Sequence, residues 1–331
     1  MSRISAIKPP FAIARGRVVI EGGPFPPTGD AVPRVTLGDA LVRVVMASRD
    51  RIAVDVPAGL AGGPTAVRIV DLPGVTAYLE VGQVVATGVH QVDSPAVGPD
   101  GSVYLTFSGS RGQQTPVSIF RVRPGGPREV FARGITNATS MVVDGAGRLY
   151  VSSRFDGSVV RFEPDGSMET VATDLGVACG LAVTPDGTLL VGDRTGTIFR
   201  VNPSGETSVL ATLPPSIAAF HLALAPSGDL YVTVPTLSTR DALYRVSPEG
   251  HVDEVSRAFG RPQGLAFDRR GDLFVVDALA GAAGVYRMGA DGSRRLMLSG
   301  EGLVGVAFDA DNALVVATGD AAYRFPPLPP G

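Results

Sequence analysis

GLAVTPDGTLLVGD, residues 180–193, is the stretch whose reading decides the fold. An apolar run leads into a short polar turn with a glycine, and a second apolar run follows. That is the signature of two antiparallel strands joined by a tight turn. Working outward, the same scheme returns as SPAVGPDGSVYLT (94–106), SMVVDGAGRLYVS (140–152), HLALAPSGDLYVT (221–233), GLAFDRRGDLFVV (264–276) and GVAFDADNALVVA (305–317). The turn slot holds Gly101, Gly147, Gly187, Gly228 and Gly271, then Asn312. The spacing is roughly 40–46 residues, the length of four strands per blade in a β-propeller.

Each copy continues into a second strand pair, opening IFRV, VVRF, IFRV, LYRV, VYRM and AYRF. One arginine recurs there, at Arg121, Arg161, Arg200, Arg245, Arg287 and Arg324. Alternation puts it on the strand face opposite its apolar neighbours, as a blade-to-blade or rim feature. The last copy ends before its fourth strand, while VGQVVATGV (81–89) resembles the fourth strands elsewhere. The expectation is an all-β chain with a six-bladed β-propeller over residues 75–331, closed by the strand at 81–89. Closure removes the free edges an open array would expose.

Composition agrees with a well-packed chain: of 331 residues, 44% are hydrophobic and 18% charged, and the 42 glycines and 27 prolines are dispersed as turns demand. A net charge of −3 gives no electrostatic case for nucleic acid. The N-terminus lacks a signal-length apolar core and no stretch is long enough to span a bilayer, so a soluble, cytoplasmic chain without membrane contact is expected. With Cys179 as the one cysteine, internal disulfides and cysteine-based metal cages are excluded.

Residues 1–72 have a different texture: short alternating runs between Gly/Pro turns, with no helical period. GGPF (22–25), VTLG (35–38) and VPAGLAGG (56–63) carry a resemblance to the IPT/TIG immunoglobulin-like domains, covering residues 4–70. That resemblance implies an N-terminal β-sandwich that contacts a neighbour or a protein partner, with no catalytic residues of its own. DLPG (71–74) reads as the hinge.

In a propeller, the loops at one mouth of the central channel form the usual pocket. The slots opening the inner strands hold Asp93, Thr139, Cys179, Phe220, Gln263 and Val304, followed by Ser94, Ser140, Gly180, His221, Gly264 and Gly305. Small residues suit a crowded axis, so His221 stands out as a functional candidate; a core histidine satisfied by backbone carbonyls is the alternative. Ser108, Arg154, Asp193, Arg194 and Asp277 follow the second strands and face the same mouth. The two aspartates read as turn caps. The two arginines have the fork that clamps a carboxylate or phosphate, although solvated rim arginines are common. His90 lies three residues before Asp93, the minimum for general-base work.

The blade sequences GLAVTPDGTLLVGD and GLAFDRRGDLFVVD resemble the gluconolactonase and regucalcin family of propellers, and more loosely NHL-repeat propellers, across residues 75–325. The resemblance implies a divalent cation such as calcium at the channel mouth, held by an acid in "ESP" and by residues opening "NG" and "DG" motifs. Asp93-Ser94-Pro95 stands at the first, with a shorter acid; Cys179-Gly180 and Gln263-Gly264 depart from the others. Asn137 lies two residues before its slot. The expected function is a lactonase-like hydrolase of a small cyclic ester, with Asp93 and His221 catalytic and Asp93 the one family-type metal ligand. His90, Asn137, Thr139, Arg154, Cys179, Phe220 and Gln263 are the expected substrate contacts. A non-catalytic binding propeller, and a metal-free lyase or cyclase using an Asp/His pair, are the alternatives.

Overall fold

The computed structural model describes residues 3–25 and 32–328; the remainder of the expected 1–72 and 75–331 segments lies outside the described residues. Among the described residues every regular element is a strand, and no helix is long and apolar enough to cross a membrane.

Each sequence copy forms an antiparallel meander. The first is Ala96–Val97, Val103–Thr106, Ile119–Val122 and Arg128–Ala132, and the next three copies repeat that order as separate four-stranded sheets. Pro262–Phe267, Leu273–Asp277, Gly284–Met288 and Arg294–Ser299 form the same meander, but it runs on into N-terminal strands. In the last copy, Leu303–Phe308, Ala313–Thr318 and Ala321–Pro327 receive Gln83–Thr87 as fourth strand, with Gln83 opposite Arg324 and Thr87 opposite Ala321. The inner strands pack in cyclic order: Ala96–Val97 touches Ala138–Val143, contact passes through Ala178–Val183, His221–Leu224 and Pro262–Phe267, and Leu303–Phe308 returns to Ala96–Val97.

Burial follows from that arrangement. Second strands such as Leu149–Ser153 and Leu273–Asp277 are buried on both faces, because neighbouring sheets cover each side. Fourth strands such as Met168–Ala172 are largely exposed. The inner hairpin turn needs a left-handed residue: Gly187 has φ of 87° and Asn312, in the same slot, 64°. Asn replaces Gly there because its short polar side chain tolerates that region best among the rest. Five of the recurring arginines ion-pair within their own copy, as in Arg245 to Asp253 at 2.6 Å, while Arg200 donates to the Pro248 carbonyl of the next copy.

Two N-terminal sheets share one core. Arg3–Lys8, Arg17–Gly23, Arg51–Asp55 and Val44–Ala47 form the first; Val35–Leu37, Ala40–Val42, Gly63–Ile69 and Thr76–Val81 belong to the second. Ile20, Val35, Ile52, Val67, Leu79 and Val81 pack between them. The expected hinge at 71–74 is instead the turn of a hairpin: Gly63–Ile69 pairs with Thr76–Val81 over its length. The strand at 76–81 therefore belongs with the N-terminal sheets, because Leu79 and Val81 complete their core, and the connection falls at Gly82 rather than at 72–75. Nor is the junction loose. Phe11–Ala12 lies parallel to both Leu298–Ser299 and Glu80–Val81, and Phe11 stacks on Phe325 at 5.0 Å. A Cβ on Gly82 would stand 2.7 Å from the Phe325 ring, so only glycine lets the chain pass.

Candidate functional site

The inner strands approach so closely that side chains must be small where they meet. A Cβ on Gly180 would stand 2.6 Å from the Phe220 carbonyl oxygen, and one on Gly264 would stand 2.7 Å from Gly305 Cα. Hydroxyls lace neighbouring copies: Ser94 Oγ accepts from Val306 N, Ser140 Oγ from Leu181 N, and Thr233 Oγ1 donates to the Gln263 carbonyl at 2.7 Å.

Into this axis project Asp93 and His221, 3% and 0% exposed. His221 Nδ1 and Asp93 Oδ1 are 2.6 Å apart. An ionised carboxylate only accepts, so Nδ1 carries the proton; in the neutral ring Nε2 then keeps its lone pair. Asp93 Oδ1 also accepts from Ser94 N at 2.6 Å. His221 Nε2 is buried with no hydrogen-bond partner among the described residues. A buried charge-assisted contact stabilises by about 1.5–3 kcal/mol, so the pair is held firmly while one ring nitrogen stays free. Gln91, which nothing in the repeat pattern singles out, fixes the Asp93 loop. Its Nε2 donates to the carbonyls of Asp93 and Ser94 at 2.9 and 3.0 Å, and its Oε1 accepts from Thr106 N at 2.7 Å.

Cys179 is buried, with Arg154, Asp93 and Arg194 acting on it electrostatically and a backbone hydrogen bond of Phe220 favouring its thiolate. Burial pushes its thiol up to about 11, against the opposing pull of that hydrogen bond and of the arginines. It is a neutral thiol at physiological pH. Arg154 is half-buried, and its Nε lacks a partner; one long contact of 3.5 Å runs from Nη2 to the Gly109 carbonyl. Burial, with Arg194 and Arg111 nearby, lowers its pKa. Ser108 Oγ is likewise buried and unpartnered.

Several expected substrate contacts serve the framework instead. Asn137, at φ of 51°, donates to the carbonyls of Ser108 and Ser110 at 2.6 and 2.8 Å and accepts from Gly112 N at 2.7 Å. Its amide is spent on holding the loop that carries Arg111. Thr139 Oγ1 donates to the Asn137 carbonyl at 2.8 Å. Phe220 is fully buried against Gly192, filling space rather than lining it. Gln263 is tied in through its backbone carbonyl, with no side-chain bond to the Asp–His pair among the described residues. His90 packs edge-on against Phe107 at 6.2 Å and makes no bond to Asp93. Asp193 and Asp277 are the turn caps the sequence suggests: Asp277 accepts from Gly260 N, Arg261 N and Leu279 N and pairs with Arg294, and Asp193 accepts from Val177 N and Thr195.

The donor set does not fit a divalent cation. A hard cation takes six or more oxygens, several of them carboxylate, whereas the hydrogen bonds that the Asp93 carboxylate accepts here come from His221 Nδ1 and Ser94 N. Among the described residues no three His, Cys, Asp or Glu side chains gather to hold a metal. A cavity of about 700 Å³ lies elsewhere, between Lys8–Pro10, Arg15 and Arg17 of the N-terminal sheets and Arg294–Leu296 with Gly300 and Glu301.

An all-β, propeller-like chain with a buried aspartate–histidine pair at the meeting point of its inner strands is the class these observations define. The profile of the SMP-30/Gluconolactonase/LRE-like region matches residues 138–327, and the chain belongs to that family. It is 27% identical over 146 residues to pentonolactonase XacC of Haloferax volcanii, a match covering 44% of this chain and half the length of that relative. The solved gluconolactonase XC5397 of Xanthomonas campestris superposes with a TM-score of 0.62 at 19% identity, over 92% of this chain and 99% of that one. An auxiliary nutrient binding protein from Bacteroides thetaiotaomicron superposes with a TM-score of 0.56 at 13% identity, over 98% and 97%. These superpositions show the shared fold.

Proposed function

We propose that this chain is a lactone hydrolase built on a six-bladed β-propeller, preceded by an immunoglobulin-like unit, with Asp93 and His221 as a metal-independent acid/base pair. The observation that carries the reading is the free, buried Nε2 of a histidine whose other nitrogen is fixed by a carboxylate. Membership of the gluconolactonase-like family and the likeness to a pentonolactonase support the substrate class.

In this reading His221 Nε2 accepts a proton from water as the water oxygen adds to the lactone carbonyl. Asp93 stabilises the imidazolium that forms, as an oriented carboxylate does. The oxyanion develops in the field of Arg154 and Arg194, in a site where burial strengthens such interactions. Collapse breaks the ring C–O bond, and Nε2–H returns its proton to the departing alkoxide. One lactone and one water give one hydroxy acid.

The test is a panel of five- and six-membered lactones assayed with the wild type, Asp93→Asn and His221→Gln. Turnover on a sugar lactone that both substitutions abolish is expected. Absence of turnover on every lactone, or undiminished activity in both variants, would overturn the reading.

A further inference from the structure

Arg154 reaches the Gly109 carbonyl of the loop that carries Arg111, and Arg111 and Arg194 both act electrostatically on it; Arg154, Arg194 and Asp93 in turn act on Cys179. None of the three arginines makes an ion pair among the described residues, whereas the recurring strand arginines pair with carboxylates in five cases out of six. Asp93 makes no ion pair with any of them among the described residues; its Oδ1 accepts from His221 Nδ1 and from Ser94 N, and its single negative charge balances at most one of the three. Arg154 is the costly member. Among the described residues, the buried Nε of this half-buried guanidinium has no partner, and one long contact from Nη2 to the Gly109 carbonyl is all that replaces its lost hydration.

The framework also spends residues on keeping this arrangement. Asn137 adopts a left-handed conformation to tie residues 108–112 with three of its hydrogen bonds, which places the Gly109 carbonyl and Arg111 beside Arg154. A single transient oxyanion needs one or two donors. Three arginines without an ion pair, one of them half-buried with an unpartnered Nε, outnumber the single carboxylate of Asp93 and suit an anion that is present throughout binding. A planar guanidinium with free N–H groups matches a carboxylate bidentately.

Resting on the lactonase reading above, we infer that the substrate is a lactone that itself carries a carboxylate, such as the monolactone of a sugar diacid, held by Arg154 with Arg194 and Arg111 supplying the field. Neutral sugar lactones then lack the group the site is charged to receive.

The experiment is calorimetric titration of the full chain with an open-chain six-carbon sugar diacid, which cannot be hydrolysed, so binding is read without any lactonase activity. The parallel titrants are the corresponding neutral alditol and inorganic phosphate. The wild type should bind the diacid and not the alditol. Arg154→Gln should weaken diacid binding at least tenfold, and Arg154→Lys should recover part of it. Should Arg154→Gln melt well below the wild type, Arg194→Gln, at a position with no buried unpartnered atom, is expected to weaken the diacid severalfold. Failure of the diacid to bind, equal binding by wild type and folded variants, or phosphate binding tighter than the diacid would each overturn the assignment. If the diacid binds but no lactone turns over, the anion site stands and the hydrolase reading falls.

Discussion

Asp93 and His221 lie 128 positions apart in the chain yet meet at 2.6 Å. Asp93→Asn keeps the shape but offers Nδ1–H a weaker acceptor, and the amide can turn its donor toward the ring. Turnover should fall by about 10²–10⁴-fold, the range for a positioned acid/base group, with a small change in melting temperature. Asp277→Asn should do the reverse. It weakens a cap accepting three backbone N–H groups and Arg294, so stability should drop by about 1.5–3 kcal/mol while turnover per folded molecule is retained; thermal melts alongside assays distinguish the two. For Cys179, a thiol pushed up to about 11 leaves little thiolate near neutrality. Native protein should resist alkylation at pH 7.5 and react once unfolded, which mass spectrometry reads directly. The sequence singles out His221 as the bulky exception in a slot of small residues and Asp93 through its place in an ESP-like motif; the structure brings the two into contact, and their catalytic role belongs to the function proposed above. Gln91 was not legible, since the aligned position two residues before each slot varies freely, as Asn137, Val177, Ala218, Arg261 and Gly302 in the other copies. Asn137 and Thr139 were legible as polar residues near the mouth, but their hydrogen-bond partners belong to a loop whose path the repeat does not specify.

At the scale of the strand and its turn, the apolar–turn–apolar scheme translated directly into hairpins because each turn carries a residue suited to positive φ. Asn312 tests that account. Asn312→Gly and Asn312→Ala both lose the side-chain contacts to Arg269 N and Asp268, but Asn312→Ala should cost about 1–2 kcal/mol more, for a β-carbon in the left-handed region, and melt lower than the glycine variant. The likeness of 81–89 to other fourth strands has its counterpart in the pairing of Gln83–Thr87 with Ala321–Pro327. The reading of 71–74 as a hinge failed for a physical reason: a Pro-Gly turn marks a hairpin and a linker alike, and only the partner strand tells them apart.

For the whole molecule, main-chain bonding joins the N-terminal sheets to the repeat region through Phe11–Ala12, so the two parts share an edge rather than a flexible tether. A chain starting at Gly82 keeps the strand Gln83–Thr87 and should still melt cooperatively, at a lower temperature because the Arg294–Ser299 edge and Phe325 lose their cover. A chain starting after Val89 should not, since Ala86 and Val89 pack with Val315, Ala317 and Ala322 where the first and last copies meet. Differential scanning calorimetry of the two truncations would settle whether closure or N-terminal packing dominates. The central claim, hydrolysis of a lactone by the Asp93–His221 pair without a metal, is tested most directly by measuring kcat/KM on the best lactone after exhaustive chelation, for the wild type and Asp93→Asn side by side. The account predicts full wild-type activity after chelation and a loss of about a hundredfold or more in the variant. Activity that disappears on chelation and returns with calcium, or a variant as active as the wild type, would contradict it.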